Sequence, residues 1–233
     1  DLKDEEYINS HCVIMATKQG QIKKTSLEQY SRPRANGINA ITVKDGDELL
    51  EAKLTNGESE ILIAVKSGKA IRFEEGKTRP MGRNASGVRG ITLNGPDDAV
   101  VGMVSVNDLN TDILVVSANG YGKRSSLEDY RATNRGGKGV KTISVTEKTG
   151  ELVSIKNVSD ENDLMIINKS GIAIRMSVDS LRVMGRATQG VKLINLKGGD
   201  SIAAVAKVMK EEESFEDQSL EGEENSTDGT NIE

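Results

Sequence analysis

The side chains best able to do chemistry in this 233-residue chain are cations that recur at regular intervals. Most lie in polar connections between apolar segments, and the others lie in the segments that follow each tight turn. The connection cations are Arg32, Arg34, Arg79, Arg83, Arg89, Arg131, Arg135, Lys138, Lys141, Arg182, Arg186 and Lys192. The strand cations are Lys23, Lys24, Arg72, Lys123, Arg124 and Arg175. Because repetition puts these groups at equivalent positions, we predict an outer belt of positive charge that binds a curved polyanion.

Duplex DNA is the polyanion that suits such a belt. A protein that neutralises several phosphates gains affinity from counterion release without reading the bases. A belt on a convex rim would also bend the duplex, and further phosphate contacts would offset the bending cost. The alternative is that the cations are solvated faces of edge strands, where charge prevents aggregation. We expect Arg83, Arg135 and Arg186 to be exposed, so that replacing them leaves folding intact.

Arrangements typical of catalysis are not found in the sequence. His11 is the one histidine and Cys12 the one cysteine, so neither a disulfide nor a common structural zinc site is expected. The glycine-rich stretch at 134–139 lacks the spacing of a phosphate-binding loop, and no long helix follows it. With no Trp, 2 Phe and 4 Tyr, the chain is poorly supplied for stacking on single-stranded bases. We predict no catalytic residues, no metal and no cofactor in this chain.

The elements that position the cations repeat about every 50 residues. An apolar run, a glycine turn and a basic strand recur around Gly20, Gly68, Gly120 and Gly171. A second glycine precedes another apolar segment, at 38–43, 88–93, 140–145 and 191–196, and a further strand closes each unit. Four short strands in each repeat predict an all-β, propeller-like domain at 7–209. Its four units are about 11–59, 60–111, 112–162 and 163–209, and units 1 and 3 resemble each other, as do units 2 and 4.

The two ends of the chain differ from this body. Residues 1–6 are interpreted as a linker or the end of a preceding blade. The stretch 6–9 resembles the end of a unit whose beginning is missing. From 210 to 233, ten acidic residues accompany one lysine, although the net charge of the whole chain is only -5. Such a segment is predicted to be a disordered tail, which either aids solubility or competes for the basic face. No apolar run reaches the length of a membrane span, so we expect a cytoplasmic protein without a membrane partner.

Several motifs together resemble the C-terminal domain of the bacterial DNA gyrase A protein. They are Ser117 to Arg124, Gly87 to Ile91, Asp45 to Leu49, Val183 to Arg186 and Thr188 to Val191. The resemblance implies a β-pinwheel, a propeller-like ring whose blades exchange strands and whose basic rim wraps duplex DNA. It also implies that ATP-dependent negative supercoiling belongs to a holoenzyme of two gyrase A and two gyrase B proteins, with ATP and Mg²⁺ bound outside this chain. The partners would be duplex DNA, the gyrase A catalytic core and gyrase B.

One departure from the family pattern concerns its basic, glycine-rich box. The family carries that box in its first blade, whereas the near match here is at 134–139, in the third unit. The chain would then correspond to the last four of six blades. Two alternatives stay open: the matching C-terminal domain of a topoisomerase IV, and a propeller-type scaffold for protein interactions, for which Trp-Asp and kelch signatures are absent.

Overall fold

A computed structural model describes residues 4–210 of the chain. The predicted acidic tail, apart from Lys210, lies outside the described residues, as do residues 1–3. A short helix, α1 (Glu5–Ser10), precedes a series of strands. In chain order the strands are β1 (Cys12–Thr17), β2 (Gln21–Ser26), β3 (Leu49–Thr55), β4 (Glu60–Val65), β5 (Lys69–Glu74), β6 (Val88–Arg89), β7 (Val100–Val106), β8 (Asp112–Ser117), β9 (Tyr121–Ser126), β10 (Val140–Lys141), β11 (Leu152–Val158), β12 (Asn162–Asn168), β13 (Ala173–Ser177), β14 (Val191–Lys192) and β15 (Ile202–Met209).

The strands form four antiparallel sheets, one for each predicted unit. Their orders are β3-β1-β2-β6, β7-β4-β5-β10, β11-β8-β9-β14 and β15-β12-β13. The first three sheets have four strands, and the fourth has three within residues 4–210. A 3₁₀ turn follows the second strand of each blade, at Leu27–Tyr30, Glu75–Lys77, Leu127–Asp129 and Val178–Ser180. The all-β, propeller-like architecture predicted from the repeats is therefore confirmed.

Neighbouring blades exchange strands. The outermost strand of each four-stranded sheet comes from the next unit along the chain, so that Val88 of β6 pairs with Ile22 of β2. In the same way, β10 pairs with β5 and β14 pairs with β9. The connection that leads to each of these strands also crosses to the preceding blade, where the Met81 amide donates to the Lys24 carbonyl at 2.7 Å. This exchange is the feature that defines a β-pinwheel.

The hydrophobic core lies between successive blades. The strand β4 is buried on both faces, and its residues Ile61 to Val65 form a continuous apolar run rather than an alternating one. In the fourth blade, burial alternates along β12. Ile14, Ile63 and Val100 belong to the cluster between the first two blades, and two similar clusters separate the remaining pairs. The innermost strands β3, β7, β11 and β15 contact one another in that order. Blade packing therefore turns the outer edges of the sheets away from a common centre.

Two details of the predicted strands are wrong. The second apolar segments are shorter strands than expected, two residues long in units 2 to 4, because the backbone then turns across the neighbouring hairpin, where the Gly90 amide donates to the Gly20 carbonyl at 2.8 Å. Residues 38–43 form no strand, since no described blade precedes the first one to accept it. Residues 6–9 belong to α1, whose first turn is capped by the Asp4 carboxylate at 3.1 Å from the Tyr7 amide. Their interpretation as the end of a preceding unit stays a prediction.

Glycine is required where a connection crosses the preceding blade. Gly139 has a φ of +71°, and a Cβ atom there would lie 2.6 Å from the Ala70 carbonyl oxygen. The equivalent Gly37 has a φ of +81° but open space around the same position. Strand exchange, and not the turn alone, thus explains the second glycine of the repeat.

Within residues 4–210, no helix is both long and apolar enough to span a membrane.

Candidate nucleic-acid interface

The outer edges of the first three blades each present a cation at the same register position. Arg89 of β6 stands opposite Gln21, Lys141 of β10 opposite Lys69, and Lys192 of β14 opposite Tyr121. All three cations are exposed. Because each belongs to an exchanged strand, strand exchange itself places positive charge at the rim of successive blades.

The connections add further exposed cations beside these edges. They are Arg32, Arg34, Arg79, Arg131, Lys138 and Arg182. Arg131 and Lys138 line one shallow cavity of about 330 Å³ between β5 and β10, together with Asn134 and Gly137. This cavity lies at the glycine-rich stretch 134–139, which is the near match to the family's basic box. In this stretch the exposed Lys138 precedes Gly139, whose backbone packs closely against Ala70 of β5. We call the nine exposed cations of the outer edges and connections the rim cations.

Three arginines predicted to be freely exposed are instead half-buried and hydrogen-bonded to the protein. The Arg135 guanidinium donates to the carbonyls of Lys77 and Arg89, each at 3.0 Å. Arg186 does the same to the carbonyls of Asp129 and Lys141, at 2.9 and 2.8 Å. Arg83 makes a longer contact of 3.4 Å with the Asn39 carbonyl. Each guanidinium binds a connection to nearby backbone. The prediction that these three arginines are exposed is therefore wrong, and so is the reason given for expecting their removal to leave folding intact.

Two strand lysines assigned to the outer belt are fully buried. Lys23 donates to the carbonyls of Ala40, at 2.6 Å, and Arg83, and Lys123 donates to the Gly185 carbonyl at 2.6 Å. Burial lowers the pKa of Lys123 to about 8 and also lowers the pKa of Lys23. These lysines occupy the same register position in blades 1 and 3, and the same position in blade 2 is Ile71. They hold connections in place and are not part of an exposed belt.

The other strand cations pair with acids. Lys24 lies 3.3 Å from the buried Glu75 carboxylate of the next blade. The remaining pairs join the first two strands of one blade: Arg72 with Glu60, Arg124 with Asp112 and Arg175 with Asp163. The expectation that these cations form part of an outer belt is wrong for Lys24, Arg72 and Arg124, because their charges are largely buried and neutralised. Arg175 is more exposed, but its guanidinium lies 2.7 Å from Asp163.

Sequence reasoning missed the importance of Glu75. Its carboxylate is fully buried, accepts hydrogen bonds from the Thr55 hydroxyl at 2.7 Å and the Ser59 amide at 3.3 Å, and faces Lys24. A signal was available, since the first residue of the 3₁₀ turn is apolar in the other three blades, at Leu27, Leu127 and Val178. An acid at an otherwise apolar position indicates a buried partner.

The arrangement as a whole has the form of a β-pinwheel domain with a cationic rim. A family model described as "DNA gyrase C-terminal domain, beta-propeller" matches residues 13–56, 59–107, 111–159 and 162–209, one match for each blade. The chain belongs to this family.

Relatives and solved structures agree with this assignment. The DNA gyrase A protein of Staphylococcus epidermidis is 44% identical over 214 residues, which cover 91% of this chain and 23% of that protein. The chain spans about a quarter of the length of the curated relatives that it matches. A solved structure described as "Structure of DNA gyrase A C-terminal domain" matches with a TM-score of 0.77 and 24% identity, covering 88% of this chain and 68% of the other. The C-terminal domain of DNA topoisomerase IV matches with a TM-score of 0.82 and 21% identity over 88% of this chain and 64% of that one, so the fold alone does not separate the two enzymes.

Proposed function

We propose that this domain binds duplex DNA along its rim cations, without sequence preference, and bends it as part of a DNA gyrase. The observation that carries the proposal is the repeated placement of Arg89, Lys141 and Lys192 on exchanged strands at the edges of successive blades. Cations repeated on successive blades suit a backbone whose phosphates also repeat, and contacts of this kind position a duplex without reading its sequence. The 44% identity to a gyrase A protein favours gyrase over topoisomerase IV as the parent enzyme.

Catalysis, in this proposal, resides in the rest of the holoenzyme. This chain would supply the DNA-bending surface, while ATP, Mg²⁺ and strand passage belong to the gyrase A core and to gyrase B. Within residues 4–210, no three His, Cys, Asp or Glu side chains are grouped as metal ligands. A bent segment held next to the catalytic core would favour strand passage in one direction, and ATP-dependent negative supercoiling requires such a bias.

The binding proposal is tested by a salt series with the full chain. Two duplexes of equal length and unrelated sequence should bind equally, and the logarithm of the affinity should fall linearly with the logarithm of the salt concentration. Replacing Arg131, Lys138 and Lys141 together by Gln removes three exposed cations from one blade edge, two of which line the 330 Å³ cavity. We expect the salt slope of this variant to decrease by about two to three, since each phosphate contact contributes roughly 0.9.

A matched control removes the same charge from elsewhere on the surface. Lys44, Lys169 and Lys197 are exposed lysines in or beside the polar turns, outside the exchanged strands. Their combined replacement by Gln should leave the slope within about one unit of the unmodified chain. Equal effects of the two triple variants would mean that the rim has no special role, and a strong preference for one duplex would contradict sequence-independent binding.

A further inference from the structure

A second basic site lies at the centre of the blades, on the side opposite the rim. A cavity of about 400 Å³ is lined by residues from all four innermost strands, β3, β7, β11 and β15. Its charged residues are Glu51 and Lys53 from the first blade, Lys156 from the third and Lys207 from the fourth. We call this space the hub cavity. Its volume lies at the low end of the range for small-molecule sites, so it suits a compact ligand and not a duplex.

The charges of the hub cavity do not cancel. The Glu51 carboxylate is already engaged, since one oxygen accepts from the Met103 amide at 2.9 Å and the other lies 2.7 Å from the Lys53 ammonium. Among residues 4–210, neither Lys156 nor Lys207 has an ion-pair or hydrogen-bonding partner for its ammonium group. Three ammonium groups and one carboxylate therefore leave the lining with a net positive charge.

The lysines also act on one another. The pKa of Lys207 is lowered, first by desolvation and then by the charges of Lys53 and Lys156. Like charges brought together by separate blades raise the free energy of the empty cavity, and an anion placed between them relieves that repulsion. The hydroxyl oxygen of Ser105, which also lines the cavity, is buried and has no hydrogen-bond partner within the described part of the chain. A ligand with acceptor oxygens would satisfy the ammonium groups, whereas the Ser105 hydroxyl oxygen is shielded from solvent.

We propose that the hub cavity binds a small multivalent oxyanion of the phosphate class, held by Lys156 and Lys207 with Lys53. Ammonium groups on flexible stems act as point charges that can be placed around a tetrahedral, multiply charged group, whereas a planar carboxylate is matched better by the fork of an arginine. The inner strands fix the lysines on three blades, so a bound anion would link the first, third and fourth blades through one charged group. This site is independent of duplex binding at the rim.

Titration calorimetry of the full chain with pyrophosphate, in a chloride buffer, tests the proposal. We expect one saturable site for each chain. Lys156→Met and Lys207→Met should each weaken binding by about tenfold, which is the order expected for the loss of one charge-assisted hydrogen bond. Methionine retains the apolar stem, and Lys44→Met is the matched control because Lys44 is an exposed lysine of a polar turn. The control should remain within about twofold of the unmodified chain.

The location of the ligand is checked by amide chemical shifts in the NMR spectrum. Pyrophosphate should shift the amides of Val104 and Val205, which line the hub cavity, and leave the rim amide of Arg89 unchanged. The proposal is overturned by the absence of saturable binding, by full affinity in both hub variants, or by equal weakening in Lys44→Met. Loss of pyrophosphate binding with unchanged duplex affinity in the hub variants would separate this site from the rim, so the two proposals can fail independently.

Discussion

Two equivalent glycines of the repeat, Gly37 and Gly139, should differ in how strongly their replacement by alanine destabilises the protein, because only Gly139 packs against a preceding blade. Gly139→Ala should destabilise the protein far more than Gly37→Ala, although both residues have left-handed backbone angles, +71° and +81°. At Gly139 the new Cβ would lie 2.6 Å from the Ala70 carbonyl oxygen and 2.8 Å from the Ala70 carbonyl carbon. These atoms belong to β5, the strand on which β10 pairs, so they cannot move away as the end of a flexible side chain could. At Gly37 nothing lies within 4 Å.

The magnitudes follow from these two environments. The left-handed conformation costs an alanine roughly 1–2 kcal/mol at either site, and the reduced entropy of the unfolded chain returns about 0.4–1 kcal/mol. Gly37→Ala should therefore cost about 1 kcal/mol. Forcing two backbone segments apart at Gly139 adds about 1–3 kcal/mol, as overpacking does, for a total of about 2–4 kcal/mol. For a chain of this length the shifts in Tm are about 2–4 °C for Gly37→Ala and about 5–15 °C for Gly139→Ala.

Differential scanning calorimetry of the two full-length variants and the unmodified chain measures these shifts. Gly87→Ala and Gly190→Ala should behave like Gly139→Ala, because their Cβ atoms would each lie 2.5 Å from a carbonyl oxygen of the preceding blade. Equal shifts for Gly37→Ala and Gly139→Ala would refute the reasoning, because the glycine would then be required by its turn alone and not by the crossing of the blades.

Three further predictions concern the buried and half-buried cations. Lys24→Met leaves the Glu75 carboxylate buried without its partner and should cost about 3–5 kcal/mol, measured by thermal unfolding, whereas Lys18→Met breaks an exposed pair and should cost about 1 kcal/mol or less. Arg135→Ala should lower the Tm because two backbone carbonyls lose their donor, and an unchanged Tm would mean that those contacts add nothing. The folded pKa of Lys123, about 8, is below its unfolded value near 10.5, so its protonated form opposes folding below pH 8 and this penalty disappears as the pH rises towards 10.5. The stability of the unmodified chain relative to Lys123→Met should therefore increase between pH 8 and pH 10, and a constant difference would contradict it.

Much of the architecture could be predicted from the sequence because each repeat corresponds to one blade. Each blade needs a continuous apolar strand at its centre, and that run is visible at Ile61 to Val65 and again in the other units. The pairing of units 1 and 3 is explained by Lys23 and Lys123, which make the same kind of contact with a connection carbonyl. The partner blade of each exchanged strand could not be predicted, because a two-residue pairing such as Val88 on Ile22 carries almost no pattern of its own.

The candidate site could be predicted only in part. Charge and repetition correctly placed cations such as Arg89 and Lys141 at exposed edges, and their contact with DNA stays a prediction. The same criteria failed for Lys23, Lys123 and Arg72, because a lysine or arginine in a short strand has the same appearance in sequence whether it faces solvent or a distant carbonyl. Their partners are separated from them by up to 62 residues, and only the closed packing of the blades brings the two groups together.

Energy transfer between dyes at the two ends of a duplex of about 30 base pairs tests the central claim most directly. If the duplex follows the rim, binding of the full chain should shorten the end-to-end distance, and the Arg131, Lys138 and Lys141 triple variant should lose that shortening at equal occupancy. The control variant, in which Lys44, Lys169 and Lys197 are replaced by Gln, should retain that shortening. A duplex that binds tightly but keeps the end-to-end distance of free DNA would contradict the proposal that this rim bends DNA.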